Sequence, residues 1–256
     1  MTAGAGSTEV AGDAIQAPGT PEEQWAAWPG ANAFPELDLS ELESVLVVAA
    51  HPDDEVLGLG GTIARLVATG ARLRLVAVTD GEASHPDSTS PIARDLVRVR
   101  TAETMAALAA LGAHDTDVVR LRLPDTAVAR HEVELTDRLA ELARGFDTVV
   151  APWSHDVHGD HEAAGRAARA AGAAAGVQVL QFPVWTWHWA APGDARVPWH
   201  RAARISLSAD DLARKRAALD CFASQIHPLG PDPADAAVLP PQELAHFLRD
   251  YETVLR

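Results

Sequence analysis

The chain has 256 residues, 47% of them hydrophobic and 22% charged, the balance of an ordinary globular protein with length enough for one large core. Asp and Glu outnumber Lys and Arg by 36 to 21, and the net charge of −15 repels nucleic acid and anionic membrane surfaces, excluding both as expected partners. Cys221 is the single cysteine, no apolar run reaches membrane-spanning length, and the first residues lack the basic start and apolar core of a signal peptide; a cytoplasmic protein without disulfides or membrane insertion is expected.

Residues 1–40 are rich in Ala, Gly, Pro, Thr and Glu without periodicity, and are expected to form a loosely ordered extension that Trp25 and Trp28 could pin to the domain. Residues 41–256 are expected to form a single domain. Val45 to Ala50 reads as a strand buried on both faces, stopped by His51-Pro52. Apolar residues at 56, 59, 63, 66 and 67 then have helical spacing, closed by Gly70. Arg72 to Thr79 is a second strand ending in Thr79-Asp80-Gly81-Glu82, and residues 83–90 are a polar loop placed to cover the same edge. Pro91 to Leu111 is a long helix, Val118 to Leu123 a strand ending at Pro124-Asp125, and His131 to Arg144 an amphipathic helix. Thr148 to Ala151, Glu162 to Ala175 and Val177 to Phe182 continue the rhythm as strand, alanine-rich helix and strand. Asp210 to Phe222 is a further helix; beyond Gly230 the proline-rich run breaks the pattern, and Gln242 to Leu255 is expected to be a closing helix. The alternation predicts an α/β fold: a Rossmann-like three-layer sandwich around a mostly parallel, doubly wound sheet.

Chemistry gathers at two strand ends, the edge at which open α/β sheets bind ligands. The first strand runs directly into His51-Pro52-Asp53-Asp54-Glu55, and the fourth into Pro152-Trp153-Ser154-His155-Asp156-Val157-His158-Gly159-Asp160-His161. Uncompensated carboxylates at the end of a buried strand are costly, and a divalent metal would offset that cost. Catalytic zinc takes three His or carboxylate ligands and keeps one position open, which two such turns can supply. A dinucleotide site is rejected, because Gly58, Gly60 and Gly61 have the wrong spacing and the preceding carboxylates would repel a pyrophosphate.

Ala-His-Pro-Asp-Asp-Glu at 50–55 and His-Gly-Asp-His at 158–161, in that order, resemble the two motifs of the PIG-L/LmbE-like zinc-dependent de-N-acetylases, over about residues 44–226. Members of that family hydrolyse the acetamide of N-acetylglucosamine units in glycolipids, mycothiol precursors and glycopeptide antibiotics. The resemblance implies His51, Asp54 and His161 as zinc ligands, with Fe²⁺ or Co²⁺ fitting similar donors. It implies Asp53 as general base toward water, His158 as oxyanion stabiliser or proton donor to the leaving amine, and Asp160 as a residue that orients an imidazole. Glu55 is expected to support the helix start. Arg100, with Glu103, matches an Arg-x-x-Glu lining the sugar pocket, the other reading being an exposed ion pair. Asp125 matches a position that grips sugar hydroxyls, the other reading being a turn-forming Asp after Pro124. Ser224-Gln225 matches a late pair that supports the site.

The implied partner is a small N-acetyl amino-sugar conjugate. Alternatives are an amidase of mycothiol-type conjugates and a non-catalytic sugar- or metal-binding module; the intact Asp53 argues against the latter, since a binder needs no base. A glycosyltransferase is disfavoured by the adjacency of Asp53 and Asp54 and by the histidines. If Phe182 to Trp189 were extended, Trp185, Trp187 and Trp189 would share one face, serving either as a sugar platform or as core packing or a homo-oligomer interface. His188 would then point the other way, within reach of the site.

Overall fold

Alternate residues of the first strand enter two separate cores. Val45, Val47 and Ala49 belong to one and Leu46, Val48 and Ala50 to the other, which is why the run is apolar without a break. The computed structural model describes residues 14–256. Its strands are β1 (Ser44–Ala49), β2 (Arg72–Ala77), β3 (Asp117–Arg120), β4 (Thr148–Pro152), β5 (Gln178–Phe182), β6 (Ala202–Ser206) and β7 (Tyr251–Leu255). They form one seven-stranded sheet in the order β3-β2-β1-β4-β5-β7-β6, in which β1 to β5 pair in parallel and β7 runs antiparallel to both neighbours. The longer helices are α1 (Asp54–Ala68), α2 (Leu96–Ala110), α3 (Glu132–Leu142), α4 (Gly159–Ala175) and α5 (Ala209–Leu219). Helices α1, α2 and α5 cover one face and α3 and α4 the other, giving the three-layer α/β sandwich read from the sequence. No helix among the described residues is long and apolar enough to cross a membrane.

The glycines of α1 serve packing. A Cβ on Gly58 would lie 2.3 Å from the Phe182 ring, and one on Gly61 2.6 Å from Leu207. Gly60 faces Lys215, whose Nζ donates to the Leu57 carbonyl (2.8 Å) and to Glu252 Oε1 (2.7 Å). Glu252 also accepts from Gly61 N, Thr62 N and Thr62 Oγ1 at 2.6–2.9 Å. This fully buried pair inserts into the hydrogen-bond ladder of α1 and joins it to α5 and β7.

Two expectations are corrected. The closing segment is not a helix over 242–255: short helical turns at Pro241–Leu244 and Ala245–Phe247 precede β7, and Tyr-Glu-Thr-Val-Leu pairs along β6. The aromatic and β-branched residues of that stretch suit a pleated strand between β5 and β6, and Glu252 is tolerated inside because Lys215 meets it. The tryptophans do not share a face either, because Thr186–Trp189 is one helical turn. Trp187 is buried edge-on to Trp25 at 5.1 Å, Trp189 stacks beside Trp153, and Trp185 alone lines a cleft.

Of the expected N-terminal extension, residues 1–13 lie outside the described residues. Further on, Trp25 is 1% exposed and its Nε1 donates to the Trp187 carbonyl (2.8 Å), while Trp28 and Trp199 pack against it. Glu22 accepts from Arg249 and His246, and residues 35–37 run along the β6 edge, where Leu37 N donates to the Arg204 carbonyl and Arg204 N to the Pro35 carbonyl.

Removing one partner of a buried ion pair strands the other. Lys215→Met is expected to cost about 3–5 kcal/mol in urea unfolding. The double variant Lys215→Met, Glu252→Gln should regain a large share of it, because Gln still accepts from the α1 amides. A second expectation concerns acid. Burial would raise the Glu22 carboxyl, but the hydrogen bonds from Arg249 and His246 outweigh it and hold the group below its ordinary value. Its stabilising contribution is therefore complete above the unfolded carboxyl's value and lost as pH falls through the lower folded one. Tryptophan fluorescence of the Trp25 cluster should change on acidification in the wild type. In Glu22→Gln the packing should already be loosened at neutral pH, with that acid step absent.

Candidate active site

The site begins where β1 ends. Pro52 stops the ladder, and Asp53 takes φ 115°, a left-handed conformation rare for a residue with a side chain. Neighbours hold the turn in place: Asp53 N donates to Glu55 Oε2 (3.3 Å), His51 N to Asp54 Oδ2 (2.8 Å), and Gln225 Nε2 to the Pro52 carbonyl. Asp53 makes no capping bond to the helix that follows, so its carboxylate is free to line the cleft.

Across from this turn, the end of β4 brings in the second cluster. His51 Nδ1 lies 3.1 Å from His161 Nε2, His161 Nε2 3.3 Å from Asp54 Oδ1, and His51 Nδ1 3.8 Å from Asp54 Oδ2. Donors at zinc-bond length around a tetrahedral ion stand about 3.3 Å apart. His51 also belongs to two other close groupings, one with His158 and His161 and one with Asp125 and Asp160. The carboxylates of the latter are already committed to protein donors. Asp160 accepts from Thr126 N (2.7 Å) and Val128 N (3.0 Å), Asp125 from Ala83 N (2.8 Å), and both face His51 Nε2 at 3.2–3.3 Å.

Those contacts favour one tautomer of each ring in its neutral form. With Nε2–H of His51 pointing at Asp125 and Asp160, its lone pair is on Nδ1. His161 Nδ1 lies 2.8 Å from Asp156 Oδ2, which puts its lone pair on Nε2. Two imidazole lone pairs and a carboxylate thus converge on one point, an electron-rich hollow that a cation satisfies. The same field acts on the ring: burial alone would lower the His51 pKa, but hydrogen bonds to Asp125 and Asp160 and the charge of Asp54 hold it well above the usual value.

Asp156 was not singled out from the sequence. It is fully buried and accepts from Val184 N, Trp185 N, Thr186 N and Thr186 Oγ1 as well as facing His161. The one available signal was its place in the same strand-end turn, ahead of His161.

The remaining groups complete the cleft. Burial, with the charge of Asp54, pushes the Asp53 carboxyl well above its ordinary value against the pull of Arg100. Burial, with the charges of His51 and His161, pushes His158 well below the usual imidazole value. His158 Nδ1 accepts from Asp160 N (3.3 Å), which leaves its proton on Nε2. Glu55 is raised to about 8 by burial and stays behind the turn. Arg100 is 2% exposed and not an exposed partner of Glu103: Nη1 donates to the Gly81 carbonyl (2.8 Å), while Nε and Nη2 have no partner among the described residues. A Cβ on Gly81, at φ 68°, would lie 2.2 Å from that guanidinium. Glu103 instead accepts from Ser224 N and Oγ. His51, Asp53, Asp54, Arg100, Asp125, His158 and His161 all line one cleft of about 570 Å³; Asp160 sits behind it. His188 stands at the outer edge, with Nε2 2.9 Å from the Ala17 carbonyl and Nδ1 2.9 Å from Glu243.

Known proteins resemble this chain in sequence and in fold. A family model described as PIG-L, GlcNAc-PI de-N-acetylase, matches residues 46–172. The 1D-myo-inositol 2-acetamido-2-deoxy-alpha-D-glucopyranoside deacetylase of Mycolicibacterium gilvum is 31% identical over 203 residues, covering 67% of this chain and 70% of that protein. The protein of the same description from Actinosynnema mirum is 46% identical over 77 residues, covering 28% of this chain and 27% of its own, so the match spans about a quarter of the length of that relative. Among solved structures, the zinc-inhibited form of teicoplanin deacetylase Orf2 shares the fold with a TM-score of 0.62 at 18% identity, over 83% of this chain and 97% of that one. The chain belongs to the PIG-L family.

Proposed function

We propose that this protein is a metal-dependent de-N-acetylase that hydrolyses the acetamide of a small N-acetylglucosamine-type substrate. The observation that carries the reading is the convergence of the His51 Nδ1 and His161 Nε2 lone pairs on Asp54, with the other nitrogen of each ring facing a carboxylate. Zinc, or Fe²⁺ or Co²⁺ in its place, held by His51, Asp54 and His161 would acidify water and polarise a carbonyl.

The chain's own groups supply the rest. Asp53, with its raised proton affinity, takes a proton from the attacking water at the amide carbonyl carbon. His158 is neutral and presents Nε2–H, a donor for the oxyanion that develops on the carbonyl oxygen. When the carbon–nitrogen bond breaks, the proton held by Asp53 passes to nitrogen, and acetate and a free amine leave. The unpartnered Nε and Nη2 of Arg100 are donors for sugar oxygens, and Asp125 keeps acceptor capacity for a hydroxyl beside His51. Asp160 holds His51 from behind and ties it to the 126–128 turn.

The test is acetate release from a panel of N-acetylglucosamine derivatives by metal-free, zinc-restored and Asp53→Asn protein. Zinc is expected to restore turnover, and Asp53→Asn to keep one metal per chain while losing about 10²–10⁴ in rate. A protein that binds no divalent metal in that stoichiometry would overturn the reading. Asp156→Ala should weaken zinc about 10–100-fold in competition with a chromophoric chelator, because His161 loses the partner that sets its tautomer.

A further inference from the structure

The outer half of the cleft has a chemistry that amide hydrolysis does not require. Around the reacting groups the lining is charged and rich in histidine. Farther out it becomes a wall of Val184, Trp185, Ala237, Val238, Leu239 and Pro240. Among the described residues lining the cleft there is no lysine, and the single arginine is Arg100, buried deep and facing Asp53 and Asp125. Outside the deep cluster the lining carries one carboxylate, Glu243.

The wall is built into the fold. The Leu239 amide donates to the Gln225 carbonyl (2.9 Å), and His85 Nε2 meets the Ala236 carbonyl at 3.0 Å. Asp235, buried beneath, accepts from Ser88 Oγ, while its carbonyl holds Leu229 N (2.8 Å). On the opposite side Trp185 N donates to Asp156 Oδ2 (2.9 Å), the carboxylate that also faces His161. The apolar surface is thereby held in register with the reacting centre.

We propose that the substrate's sugar carries a neutral, apolar aglycone, alkyl or aryl, which the wall of Trp185, Val238 and Leu239 receives. This rests on the de-N-acetylase reading and names the substrate class it serves. A phosphate or carboxylate in the same place would lose its water and meet Glu243 and the apolar wall, with no lysine or arginine among the described residues of the outer lining to pair with it. An alkyl or aryl group there removes its own surface and that of the wall from water, worth about fourfold in affinity per buried methylene. The 570 Å³ cleft also has the size of sites that enclose a whole drug-sized ligand, more than one amide-bearing sugar ring fills.

The experiment compares hexyl, phenyl and methyl N-acetylglucosaminides and N-acetylglucosamine 1-phosphate as substrates of the zinc-loaded protein. In parallel, calorimetry measures binding of the deacetylated hexyl and methyl glycosides to metal-free protein. The expected result is a kcat/KM for the hexyl and phenyl compounds about tenfold or more above methyl, carried mainly by KM, with the phosphate at least about tenfold below methyl. The hexyl glucosaminide should bind about tenfold or more tighter than methyl, with a more negative heat-capacity change. Val238→Ser should narrow the hexyl-to-methyl binding ratio about threefold or more. Turnover without aglycone preference, or preference for the phosphate, overturns this proposal and leaves the de-N-acetylase reading standing. Absence of turnover with the hexyl binding preference intact overturns that reading and leaves the apolar site. Equal binding of hexyl and methyl glycosides overturns the proposal whatever the turnover.

Discussion

Everything at the sheet edge depends on holding Asp53, Asp54, Asp125 and Asp160 around His51 at the end of a strand buried on both faces. Close carboxylates in a poorly solvated place repel one another. The fold limits that repulsion without neutralising it. Asp125 and Asp160 are held by backbone amides, Asp54 by the His51 amide, and Arg100 lies close enough to Asp53 and Asp125 to lower their energy. What is left over is directed inward, onto the point where two imidazole lone pairs and Asp54 meet. On the proposed metal-dependent reading, affinity for the cation would come from electrostatic strain that the polypeptide leaves partly unrelieved.

That strain must be borne by a rigid frame. Asp53 stays in a left-handed conformation because the chain on both sides of it is tied down, by Gln225 at Pro52 and by Glu55 at its own amide. Helix α1, which follows, approaches β5 closely through Gly58 and is stapled to α5 and β7 by Lys215 and Glu252. A side chain on Gly58, or a missing partner in the buried pair, would shift the first turn of α1 and with it Asp54. Residues far from the reaction therefore set the separation of the donor atoms.

The parallel sheet, its helices and both polar turns were legible in the sequence because each is local: an apolar run, a helical spacing, then a cluster of one chemistry. The edge beyond β5 was not. Ala-Ala-Arg-Ile-Ser has no alternation of its own, and Glu252 inside Tyr-Glu-Thr-Val-Leu hides a buried strand until Lys215, distant in sequence, is placed against it. Asp156 escaped for a similar reason, since its backbone donors at 184–186 reach it only once β4 and β5 are side by side. Arg100 and Glu103 have the spacing of an ion pair on α2, yet tertiary partners separate them, Gly81 claiming one and Ser224 the other. Local pattern identified the residues; long-range packing decided their partners.

The inner and outer parts of the cleft come from different kinds of chain. The candidate catalytic and metal-holding groups sit on strand ends and first helical turns, where backbone geometry is shared with the rest of the sheet. The rim is drawn from Ile15 and Gln16, the helical turn after β5 and the 233–240 loop, gathered around His188, which faces both the Ala17 carbonyl and Glu243. These two parts are not equally free to vary. The Trp185 side of the rim shares Asp156 with His161, so moving its backbone would disturb the imidazole's tautomer and the donor set. Among the described residues the 233–240 loop shares no side chain with the donors; its bonds run to Gln225, His85, Ser88 and Leu229. On the proposed reading, changes in substrate preference that preserve the chemistry should therefore concentrate in that loop, with Trp185 as the fixed side of the cleft.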